Sequence, residues 1–180
     1  MHYYALISSL PALLPDVDSG ITPEKFLSDC QAYVGGADYR LLEQLSLDPV
    51  PGEFPKGSFA RKYSEWECAL RNAIVRFRSG KIGADPISYL NRDAGVEADA
   101  ERAVSSAYSV GSPLERERIL DHARWTKIEE LETGNNFTFE QLCGYKLKLL
   151  IQQKWAHRNP EKAAENLEQA TAQISSQTES

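Results

Sequence analysis

Apolar residues recur at steps of three and four along most of this chain. The clearest run follows Ser58, where Phe59, Tyr63, Trp66, Leu70, Ala73, Ile74 and Phe77 share one helical face. That spacing predicts a helix ending at Gly80. Upstream, "ITPEKFLSDCQAYVGG" has Thr22 as N-cap and Pro23 at the first helical position. Ile21 and Phe26 are placed as a hydrophobic staple, and Gly35-Gly36 mark the stop. Its apolar stripe is Phe26, Cys30, Tyr33 and Val34. "ADYRLLEQLSL" gives a shorter helix, Pro86 starts a brief helical turn, and "VEADAERAVSSAYSV" a helix closed by Gly111. Ser112 and Glu115 form a capping box with Pro113 between them, for a helix stopped by Gly134. Thr138 and Gln141 cap "FEQLCGYKLKLLIQQKWAH", which is apolar nearly all round and therefore central. The short link between these two helices predicts antiparallel neighbours.

Asn159-Pro160 open a last, weakly apolar helix, and no stretch reads as a strand. The fold expected is all-α, a compact helical bundle of about six to eight helices. Residues 1–170 form one helical domain, the loop 48–57 is the place for any internal boundary, and 171–180 form a flexible C-terminal tail. Trp66, Leu70, Ile74, Trp125, Ile128, Leu142, Leu150 and Trp155 are expected to be largely buried.

The opening, "MHYYALISSLPALLPD", is the one apolar run that invites another reading. A secretion signal needs a basic start and a small-residue cleavage site. No Lys or Arg precedes Lys25, Pro11 and Pro15 interrupt the run, and no A-x-A pattern follows. A membrane span needs roughly 20 consecutive apolar residues, which no window supplies. Tyr3, Leu6, Ile7 and Leu10 fit a short buried helix stopped by Pro11 better than a strand, which Ser8 would interrupt.

Charge changes the picture more than composition does. The net charge of −6 argues against a dedicated nucleic-acid binder. Residues 56–81 nevertheless carry seven bases against two acids, between acidic flanks. Such a segment pairs internally or meets an acidic or membrane-surface partner. On the Ser58 helix, Arg61, Arg71 and Arg76 lie off the apolar stripe, as a solvated face or a partner interface. Reversing all three to Glu is then expected to leave the melting temperature nearly unchanged. Cys30, Cys68 and Cys143 are odd in number, with no C-x-x-C pair, and read as reduced packing residues of a cytoplasmic protein.

Candidate chemistry is sparse. His2, His122 and His157 are scattered, with neither H-E-x-x-H nor E-x-x-H, and His122 falls on the polar side of its helix. "RSGKIG" lacks the phosphate-loop frame and reads as a helix C-terminus, with Arg76, Arg78 and Lys81 beside the negative dipole end. No catalytic residue, cofactor site or metal site is assigned, and a non-catalytic protein is expected. The informative residues are charges on apolar faces: Arg124, with Asp121 and Glu117 near it, and Lys146 among Leu142, Leu149 and Leu150. Lone buried charges are costly, so Asp121 should pair with Arg124, and Glu117 or Asp121 with Lys146. The four form either an internal ion network or the wall of a groove for another subunit.

Three stretches carry a family resemblance: "YYALISSLPAL", "WECALRNAIVRFRS", and "LERERILDHARWTKIEELE" followed by "FTFEQLCGYKLKLLIQQKW". Together they resemble an uncharacterised bacterial family, a domain of unknown function whose genes lie within operons for V/A-type ATPases. "ALRNAIVRFRSGK" is also similar to arginine-bearing helical segments of the stalk subunit called C in bacteria and d in eukaryotes. The resemblance implies a non-catalytic protein related to that subunit or standing in its place. It would link the central stalk to the membrane ring at the cytoplasmic face, through stalk or ring subunits and without inserting into the membrane. A helical adaptor unrelated to ATPases is the alternative, expected to show an exposed apolar groove.

Overall fold

Caps and glycines set the helix ends in the computed structural model, which describes residues 3–49, 54–91 and 94–156. Seven α-helices run through them: α1 (Tyr4–Ser9), α2 (Pro23–Cys30), α3 (Gly36–Gln44), α4 (Phe59–Ile82), α5 (Ala98–Ser109), α6 (Pro113–Glu132) and α7 (Phe139–Ala156). A single 3-10 turn, Ile87–Tyr89, follows Pro86. Among the described residues there is no strand, and the molecule is an all-α bundle. The helix expected from Asn159 and the tail 171–180 lie outside the described residues.

The hydroxyls of Thr22, Ser58 and Ser112 accept the N–H groups of Lys25, Arg61 and Glu115 at 3.2, 3.2 and 3.4 Å. Each satisfies one backbone donor that the first helical turn leaves unpaired. Three expected boundaries shift. α4 runs through Gly80 to Ile82, because Gly83 is the residue that takes the left-handed conformation, at φ 68°. α2 stops at Cys30, and Gly35-Gly36 start α3 instead of ending α2. Tyr33 therefore sits in a turn and is 55% exposed, while Phe26, Cys30 and Val34 are buried. The second capping box does not form as expected. Gln141 Oε1 accepts the N–H of Phe137 at 2.6 Å, and the Thr138 hydroxyl donates to Asn135 O at 2.8 Å. Phe137 sits at φ 60°, and its carbonyl accepts the N–H of Tyr3 at 2.7 Å, which ties α1 to the α6–α7 turn.

α7 is central: α2, α3, α4 and α6 all pack on it. Glu132 lies opposite Lys148 and Asp121 opposite Trp155, so α6 and α7 run antiparallel. Two apolar clusters make the core. One joins α1–α3, the first turns of α4, the second half of α6, and α7. The other joins Trp66, Leu70 and Ala73 of α4 to Ala100, Val104 and Ala107 of α5 and Leu120 of α6. Trp66, Leu70, Trp125, Ile128 and Leu142 are buried, whereas Ile74, Leu150 and Trp155 are only partly so. Trp155 lies in the last turn of α7, with the Arg118 guanidinium 5.0 Å from its ring. No helix among the described residues is long and apolar enough to cross a membrane.

Candidate functional site

Glu67 stands between the two clusters, on the same face of α4 as Tyr63 and Leu70, and is wholly buried. Its carboxylate accepts two bonds from Arg124, from Nε and Nη2, both at 2.9 Å. Arg71 Nε adds a third at 3.1 Å. Arg124 Nη1 donates to Asp121 Oδ1 at 2.7 Å. Asp121 Oδ2 in turn takes the Trp155 indole N–H at 2.9 Å and Lys154 Nζ at 2.7 Å, and Lys154 also meets Glu117. Burial works against the charge of Arg124, but the Glu67 and Asp121 carboxylates outweigh it and raise its pKa above the ordinary arginine value. One chain of charges thus crosses α4, α6 and α7.

Lys146 stands outside this network, which corrects its expected pairing with Glu117 or Asp121. Lys154, two turns further along α7, takes that place. Lys146 is buried and donates to Leu42 O at 2.5 Å and Glu43 O at 2.8 Å, carbonyls in the last turn of α3 that lack helical partners. Desolvation by burial lowers its pKa to about 8, with Cys143, Glu43 and Cys30 acting weakly the other way. The lysine therefore binds a proton more readily in the unfolded chain. Between pH 8 and the ordinary lysine value of 10.5, unfolding takes up a proton, so this group makes stability rise with pH. Urea titrations of the wild type and Lys146→Met across that window are expected to show the wild type gaining stability relative to the variant. A pH-independent difference would contradict the assignment.

The three arginines of the basic segment are each engaged within the chain. Arg61 Nε meets Glu65 at 2.6 Å, Arg71 bridges Glu67 and Asp48, and Arg76 meets Glu101 of α5. Reversing all three is therefore not the neutral change expected from their spacing, because Arg71 faces the buried Glu67. Arg71→Glu is expected to lower the melting temperature clearly, while Arg61→Glu, losing one helix-surface pair, costs about 0.5 kcal/mol. Thermal unfolding of the two single variants tests this ordering.

A different set of cations meets no carboxylate among the described residues. In the last turns of α4, Phe77, Arg78, Lys81 and Ile82 form one wall of an open cleft of about 470 Å³, and Tyr108 of α5 and Arg116 of α6 form the other. The Tyr108 ring packs in a tilted pair with Phe77, centroids 4.5 Å apart, and the Arg116 guanidinium lies 4.4 Å from its centroid. Its hydroxyl accepts Arg78 Nε at 2.6 Å, and Lys81 Nζ stands 5.2 Å from the Phe77 ring. None of Arg78, Lys81 and Arg116 forms an ion pair with a described carboxylate. Nε of Arg116 is buried without an acceptor among the described residues.

Among the described residues no group of His, Cys, Asp and Glu is placed to hold a metal ion. The three thiols are free and buried, and burial pushes that of Cys30 up to about 12. His122 is half exposed, with Nε2 3.0 Å from Asp16 Oδ2, and His2 and His157 lie outside the described residues. Spacing alone missed Glu67, Lys154, Tyr108 and Arg116. Glu67 left a signal, since it interrupts the apolar stripe one turn after Tyr63. Tyr108 and Arg116 left none, because only the α5–α6 turn brings them to the end of α4.

Fold and charges together define an all-helical protein with an ion-paired interior and a cationic cleft. The chain belongs to the family described as a protein of unknown function, DUF2764, which matches residues 54–177 and so spans α4 to α7. No curated protein and no solved structure matches it.

Proposed function

We propose that this protein is a non-catalytic subunit or accessory protein of a V/A-type rotary ATPase, linking the central stalk to the membrane ring. The resemblance of its N-terminal, α4 and α6–α7 stretches to a family encoded in such operons supports the reading. The structural observation that carries it is the charge network Glu67–Arg124–Asp121–Lys154, which ties three long helices together. Directional ion pairs resist sliding of one helix along another more than an apolar seam does. A torque-bearing link needs that rigidity. Arg61 and Arg76, whose side chains keep 23% and 31% exposure, are the arginines of the basic face that a partner would reach without breaking the interior.

The test is deletion of the gene together with affinity purification of the tagged protein from native membranes. Stalk and ring subunits are expected to co-purify. ATP-driven ion uptake by inverted vesicles should fall on deletion, while hydrolysis by the detached catalytic head stays normal. Unchanged uptake together with no ATPase subunit in the purified material would overturn the reading. A helical adaptor unrelated to ATPases is the second reading, and the partly apolar cleft at the end of α4 favours it.

A further inference from the structure

We propose that the cleft between the end of α4 and the α5–α6 turn receives an acidic segment of a partner protein. Its carboxylates would meet Arg78, Lys81 and Arg116, and an apolar side chain would lie against Phe77 and Ile82. The inference does not depend on the rotary ATPase reading. Charge complementarity carries it. On the same helix Arg71 and Arg76 each meet a carboxylate of this chain, whereas the three cations of the cleft meet none among the described residues. They lie within a chain of net charge −6, so the cleft opposes the sign of the molecule around it. Arg116 already lies over the Tyr108 ring, 4.4 Å from its centroid, and Arg78 is held by the tyrosine hydroxyl, so part of their side-chain freedom is already spent before binding.

Shape and lining narrow the occupant. A cleft of about 470 Å³ holds several side chains, far more than one small oxyanion. Ile82 is 79% exposed at its edge and offers apolar surface that a free phosphate would leave uncovered. The concave wall suits a protruding segment better than the flat surface of a bilayer.

Fluorescence anisotropy with a labelled synthetic peptide of alternating Glu and Leu pairs tests this on the full chain. The peptide is expected to bind the wild type and to weaken with added salt. The double variant Arg78→Gln/Lys81→Gln, which alters two exposed side chains, should bind about tenfold more weakly at an unchanged melting temperature. Ile82→Ser should weaken binding too, and a matched Lys–Leu peptide should not bind. Failure of the Glu–Leu peptide to bind, or equal binding by the double variant, overturns the proposal. Displacement by inorganic phosphate at matched concentration would assign the cleft to a small anion instead. Sedimentation of the protein with phosphatidylserine vesicles, abolished in the double variant, would assign it to a membrane surface.

Discussion

Glu67→Ala is expected to be among the most destabilising single substitutions in this chain. It leaves Arg124, whose side chain is 11% exposed, buried with Asp121 as its one remaining carboxylate among the described residues, and it frees Arg71 from its inner partner. Breaking a buried pair from one side costs about 3–5 kcal/mol, because the remaining charge has lost both water and partner. For a chain of this size each kcal/mol is worth about 2–4 °C, so the melting temperature should fall by about 10 °C. Glu67→Leu combined with Arg124→Leu should recover most of that loss, since an apolar pair would join the two core clusters directly. Asp121 keeps Lys154 and the Trp155 indole in the double variant, so it is not stranded. Thermal and urea unfolding of the single and double variants measure the effect. A single-variant loss below about 1 kcal/mol would place Glu67 in contact with water and remove the network from the account of rigidity.

Trp66→Ala should cost a similar amount and act on a different part of the molecule. α5 buries only Ala100, Val104 and Ala107, all short side chains, and packs on α4 and α6. Much of the apolar bulk beneath it comes from Trp66, which is 3% exposed and donates its indole N–H to Asp99 at 2.9 Å. Burial opposes ionisation of Asp99, yet the Trp66 and Ala100 N–H groups and Lys127 together hold its pKa below the usual carboxylate range. Truncating a buried tryptophan to alanine costs about 3–5 kcal/mol. Trp66→Phe, which removes the indole N–H and part of the ring but keeps an aromatic side chain, should cost less than the alanine variant. Hydrogen exchange should show the amides of 98–109 losing protection first in the alanine variant, while those of α7 stay protected. Simultaneous loss in both helices would mean that the two core clusters open as one.

Helix existence was legible because it depends on neighbours in sequence. The Phe59–Phe77 stripe, the serine and threonine caps and the prolines at first helical positions all act within one or two turns. Ends were less legible where two glycines compete. Gly80 and Gly83 are equivalent as letters, and the choice fell to Gly83 because its carbonyl-capping left-handed turn is the one the chain adopts. The site was legible by half. Asp121 and Arg124 sit one turn apart on α6, so their 2.7 Å pair follows from local spacing.

Their further partners do not. Glu67 lies 57 positions from Arg124, and the expected pairing of Lys146 across the helix pair failed on register. A lysine two turns further along α7 faces the same acids, and the carbonyls at the end of α3 claim Lys146 instead. The sequence by itself determined the helical class, the order of the helices and the caps at Thr22, Ser58 and Ser112, because helical periodicity and capping are short-range. Only the tertiary structure decided which charge meets which, because a charge distant in sequence is placed by how whole helices pack. At that range a shift of two turns along one helix exchanges one lysine for another.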